Sequence, residues 1–159
     1  MGLWDRFFHK PDPDEEPSGP SHAANLRAAV GIGTAQMRCH QDTWAYFVEE
    51  FEKSSTHRDS HVFRPAAEEV ITREVGGMIV VPISGSSLAA LLDRCFDIQF
   101  RNWSSSWNYS VLDMAIAARV GEAITRALAH VTPAGEADGD ELTIVLDDRL
   151  AGQPEVRAS

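Results

Sequence analysis

The stretch Val70-Ile-Thr-Arg-Glu-Val75-Gly76-Gly77-Met-Ile-Val-Val-Pro-Ile83 decides the fold class. Two runs rich in β-branched residues meet at a Gly-Gly pair, the pattern of a β-hairpin whose turn needs backbone that only glycine adopts easily. A helix over residues 65–75 competes with this reading, since Pro65 and Gly76 suit a helix start and stop. The β-branched Ile71, Thr72 and Val75 favour the hairpin.

Downstream, Ser84-Gly85-Ser86-Ser87 precedes Leu88-Ala-Ala-Leu-Leu92, so a serine caps a helix over about Ser86 to Arg94. Phe96, Ile98 and Phe100 alternate with Asp97, Gln99 and Arg101, the period of a half-buried strand. A helix follows from Trp107 to Val131, apolar around most of its girth, with Arg119, Glu122, Arg126 and His130 as its wet stripe. Leu142, Ile144 and Leu146 mark a closing strand.

Upstream, Leu26, Val30, Gly33, Met37, His40, Trp44, Phe47 and Phe51 recur at intervals of four and three, predicting one long helix over Ala23–Lys53. Gly31 and Gly33 weaken it, so its first two turns either form a separate short helix or pack closely on a neighbour. Ala29 and Gly33 permit close helix packing without specifying an oligomeric state. About three helices and a small, mainly antiparallel sheet, with no regular βα alternation, make a single two-layer α+β domain. Small acidic secretion chaperones have a comparable number of elements, an analogy of architecture that no shared motif supports.

Composition divides the chain into segments. Residues 1–10 form a short amphipathic head, 11–21 an acidic Pro-rich linker, 22–148 the domain, and 149–159 a disordered tail. The formal charge of −10 lies mostly outside the domain's centre: residues 1–20 carry two basic and five acidic groups, and residues 133–159 two and seven, leaving −2 for the rest. With only Lys10 and Lys53 as lysines and scattered arginines, a phosphate-binding surface is disfavoured, and with it nucleic acid as a partner. No apolar run reaches bilayer length, and the start lacks the pattern of a secretory signal, so a cytoplasmic location is expected. Cys39 and Cys95 fall in regular structure and read as reduced thiols.

Several groups are candidates for chemistry. His57, Asp59 and His61, with His40 upstream, offer the ligand types of a metal-dependent hydrolase; scattered polar residues of a solvated loop are the simpler reading. His40 falls on the apolar face of the long helix, where a hydrogen-bonded core or interface histidine is expected. Asp113 projects away from the wet stripe; near a helix start, it is expected mainly to stabilise the helix dipole. The loop Ser84–Ser87 resembles an anion cradle but lacks the lysine of a phosphate-binding loop, so it is read as a cap. No cofactor is expected.

The run Asn102-Trp-Ser-Ser-Ser-Trp-Asn-Tyr-Ser110 mixes large aromatics with small polar groups, the composition of adaptable binding surfaces. Trp103 and Tyr109 are therefore expected to contact a partner, while Trp107 packs structurally at the helix start. In the head, Leu3, Trp4, Phe7 and Phe8 share one arc and are expected to dock weakly on a protein or a membrane surface. Burying them releases roughly 6–12 kcal/mol, while ordering eight residues costs roughly 8–16 kcal/mol. The overall expectation is a non-enzymatic protein-interaction module of adaptor or chaperone-like kind, with another protein as partner.

Overall fold

The computed structural model describes residues 21–53, 62–101, 109–131 and 140–148. The centre of its sheet is β1 (Thr34–His40). Along it Ala35, Met37 and Cys39 are buried while Gln36, Arg38 and His40 are half-exposed, a period of two. This corrects the expectation of one long helix over 23–53. The chain instead forms α1 (His22–Val30), β1, and α2 (Gln41–Lys53), with Gly31 capping the C-terminus of α1. The spacing of four and three is compatible with a helix, but β1 gains ladder partners along both edges, and pairing of that kind overrides local periodicity. The weak point at Gly31–Gly33 is where the helix gives way.

The hairpin reading is confirmed in a compact form. After a short 3-10 turn at Glu68–Val70, β2 (Thr72–Arg73) pairs antiparallel with β3 (Met78–Ser84) through a turn at Val75–Gly77. Gly76 and Gly77 both adopt positive φ, 76° and 75°, and Glu74 N–H donates to Met78 O at 2.8 Å. A Cβ on Gly77 would also approach His40 Nε2 to 2.5 Å, so the half-exposed imidazole would have to turn aside, while the backbone itself calls for glycine.

The helix after the hairpin also forms as expected, as α3 (Gly85–Phe96). Ser84 Oγ accepts from Ser87 N–H at 3.2 Å, and Ser87 Oγ in turn accepts from Arg64 N–H at 2.9 Å, tying the incoming loop to the helix start. A side chain at position 85 would collide with the carbonyl oxygens of Ile32 and Ala29, so α1 and α3 meet where only glycine fits.

The strand expected at Phe96–Phe100 is absent. α3 continues through a π-helical turn at Asp97–Arg101, burying Ile98 completely and leaving Phe100 on the surface. Phe96 and Phe100 are four residues apart, so the alternation that suggested a strand also lets these rings meet along a helix, 4.9 Å between centroids. α4 (Val111–Leu128) and β4 (Leu142–Val145) complete the described elements.

The sheet order is β2-β3-β1-β4, with β1–β3 and β2–β3 antiparallel and β1–β4 parallel. Four helices on a four-stranded mixed sheet make the α+β architecture, one helix more than expected. Ile79, Val81 and Ile83 of β3 and Ile144 of β4 join the inward residues of β1 to form the core floor. On the other face Arg38 holds Glu74, beside β2, and Asp147, just past β4, across the width of the sheet. No described helix is long and apolar enough to cross a membrane.

Candidate functional site

The aromatic segment re-enters the described structure at Tyr109, in a corner formed by α2, α3 and the start of α4. α2 is amphipathic: Trp44, Phe47 and Phe51 are buried on one face, with Tyr46 and Glu50 on the flank. Phe51 stacks on Phe63, with centroids 4.0 Å apart and rings within 7°. The guanidinium of Arg94, 2% exposed, lies 5.1 Å from the Phe51 centroid, so a cation from α3 sits on the aromatic layer beneath the corner.

Over this layer α2 grips the start of α4 twice. Tyr46 donates its hydroxyl hydrogen to Asp113 Oδ1 at 2.9 Å, and Tyr109 donates to Glu50 Oε2 at 3.3 Å. Ser110 caps α4: its Oγ accepts from Asp113 N–H at 3.1 Å, while Asp113 Oδ2 accepts from Ser110 N–H at 2.7 Å. Asp113 thus has the helix-start role expected of it, with the addition of a tyrosine from another helix.

The electrostatics follow from these contacts. Burial raises the pKa of Tyr46, and its bond to Asp113 raises it further. Burial also raises that of Tyr109, with Glu50 adding to the rise and Arg94 opposing it. For Asp113 partial burial works upward, but hydrogen bonds from Ser110 and Tyr46 outweigh it and hold the carboxyl below its usual range. The corner is therefore a neutral phenol against an ionised carboxylate at neutral pH.

Directly after it, Val111 and Leu112 are 78% and 68% exposed on the first turn of α4. Sequence reading placed this helix in the core because it is apolar nearly all round; its first turn instead faces outward. Tyr109, expected as a binding residue, is half-buried and anchored. Trp103 and Trp107 lie outside the described residues, as do Leu3, Trp4, Phe7 and Phe8 and the trio His57, Asp59 and His61.

His40 is not on an apolar helix face. It ends β1, half-exposed beside Gly77, with Nδ1 accepting from Asp42 N–H at 3.2 Å. Among the described residues no three His, Cys, Asp or Glu side chains gather in a way that could hold a metal ion. Cys39 and Cys95 are free, buried thiols; burial pushes Cys39 up to about 11 and Cys95 higher still.

Sequence reasoning missed Tyr46, Glu50 and Arg94. The i, i+4 spacing of Tyr46 and Glu50 marked one helical flank, but nothing in the sequence indicated that the partner of that flank lay more than fifty residues away. Family models, curated proteins and solved structures give no match to this chain.

Proposed function

We propose that the protein is a non-enzymatic interaction module of adaptor or chaperone-like kind, and that it receives a partner protein at the corner where α4 begins. The observation that carries this reading is the exposure of Val111 and Leu112 on a turn fixed by the Ser110–Asp113 cap and by two hydrogen bonds to α2, Tyr46 to Asp113 and Tyr109 to Glu50. Apolar anchors on a rigid turn lose little conformational freedom on binding, which is where preorganised surfaces gain affinity. Trp103 and the head residues Leu3, Trp4, Phe7 and Phe8 stay candidates for partner contacts on their sequence pattern alone. Glu50 and Asp113 beside the anchors suit a partner segment with apolar side chains flanked by lysine or arginine.

The test is capture from the native host with the full chain, with Val111→Ser/Leu112→Ser, and with a chain lacking residues 1–20. The double substitution is expected to abolish capture of a specific partner while leaving the thermal midpoint within a degree or two, since both side chains are exposed. Removing the head is expected to weaken retention without moving the midpoint. Unchanged capture by the double variant, or a large fall in its midpoint, would remove the corner from the binding surface.

A further inference from the structure

On the other side of α3, the start of α1, the π-helical turn and the middle of α4 enclose an open cavity of about 300 Å³, at the small end of ligand pockets. Its lining includes Asn25, Phe96, Gln99, Phe100, Gly121 and Thr125. Asn25 is only 8% exposed, yet among the described residues nothing hydrogen-bonds its side-chain amide. The residue is buried as a whole but its amide is not among the fully buried, unpartnered polar atoms, so the amide keeps access to solvent and can exchange that water for a ligand. An unpartnered amide lining a cavity is a docking point for a ligand that presents a donor and an acceptor together.

The rest of the cavity specifies the ligand's shape. Phe96 is held by His22, stacked at 3.9 Å between centroids and itself bonded through Nε2–H to Asp93 at 2.8 Å. Phe100 leans on Phe96 and is 59% exposed, so an aromatic wall stands ready beside the amide. Gln99 is tied back by its Nε2–H to Cys95 O at 3.0 Å. Gly121 brings α4 close, since a Cβ there would lie 3.3 Å from that of Cys95 and 3.6 Å from Gln99 Nε2. The wall rises from the π-helical turn, and such turns are frequent at functional sites. Glu122 on the rim is paired with Arg126 at 3.0 Å, and neither lysine nor arginine is among the lining residues.

We propose that this cavity binds a small, uncharged planar heterocycle whose edge carries a donor and an acceptor side by side, the arrangement of a nucleobase or an aromatic carboxamide. Asn25 pairs with that edge in the bidentate manner that asparagine uses on adenine. Phe100 and Phe96 cover the ring, Thr125 offers a hydroxyl, and the lining holds no lysine or arginine to neutralise a phosphate or carboxylate.

The experiment is an NMR titration of the full chain with adenine and with nicotinamide, set against adenosine monophosphate and benzoate. Saturable shifts at Asn25, Gln99 and Gly121 with at least one neutral probe are expected, with at least a tenfold loss of affinity in Asn25→Leu. Phe100→Ala, at an exposed position outside the core, is expected to weaken binding severalfold and serves as the deciding variant should Asn25→Leu not fold. Three outcomes overturn the proposal: no saturation by either neutral probe up to about 1 mM, tighter binding of an anionic probe, or unchanged affinity in the folded variants.

Discussion

Tyr46 and Asp113, 67 positions apart in the chain, are joined by a 2.9 Å hydrogen bond that fixes α2 against the first turn of α4. Because Asp113 also closes the capping box with Ser110, one carboxylate sets both where the helix begins and where it sits.

Removing parts of this arrangement has graded consequences. Ser110→Ala is expected to cost about 1 kcal/mol, as loss of an N-cap usually does, and Tyr46→Phe about 0.5–1.5 kcal/mol. Asp113→Ala removes both contacts and is expected to cost more than either. Since the three side chains form one network, the double variant Ser110→Ala/Asp113→Ala should lose less than the sum of its parts in urea unfolding.

The same carboxylate makes stability depend on acid. Its folded-state pKa lies below the unfolded value of about 3.9. The stabilisation is therefore complete above about pH 4 and is lost as pH falls through the folded-state value. Asp148, lowered by its hydrogen bonds to Arg119, acts in the same direction. Unfolding curves collected from pH 7 down to pH 2 should show a shallower acid decline in Asp113→Asn than in the parent chain; an identical decline would remove Asp113 from the account.

Three glycines separate backbone need from spatial need. Gly77→Ala is expected to lose about 1–2 kcal/mol from left-handed backbone, with the half-exposed His40 ring turning aside from the methyl group. Gly85→Ala should be the most damaging, since α1 must move away from α3 to admit it. Gly33→Ala, with open space around its Cβ, is expected to be neutral or slightly stabilising. Thermal midpoints of the three variants give the order directly.

Cys39 and Cys95, both fully buried and with raised pKa values, should be inert to an aromatic disulfide reagent at pH 8 in the native protein and both react after denaturation. Rapid native labelling of either would show that the α3–β1 core opens readily.

How much of this was legible in the sequence depended on whether a signal was local. Gly76-Gly77 and the cap at Ser84 act within a few residues, and the hairpin and α3 followed from them. β1 was misread because Gly33, Met37, His40 and Trp44 fit a helical stripe, while the ladder partners that make Ala35, Met37 and Cys39 a strand come from residues 78–84 and 142–145. Phe96–Phe100 failed for a related reason: five alternating residues fit a strand or a helical turn equally well, and the burial of Ile98 against its neighbours decides between them. In the candidate site, the helix-start role of Asp113 was read from its position, whereas Tyr109 was singled out from composition as a partner contact and not as the anchor that binds Glu50. Tyr46, Glu50 and Arg94 were not singled out, since only tertiary packing brings them there.

The parallel pairing of β4 with β1 also bears on the order in which the sheet can be completed. β1 emerges near the beginning and finds its antiparallel neighbour β3 within about fifty residues, but its other edge stays open until residues 142–145 have been made. Without β4, β1 is paired on one side only and becomes an edge strand, the kind of edge that invites another chain to add to it. β4, four residues long, thus covers the edge of the strand at the centre of the core floor.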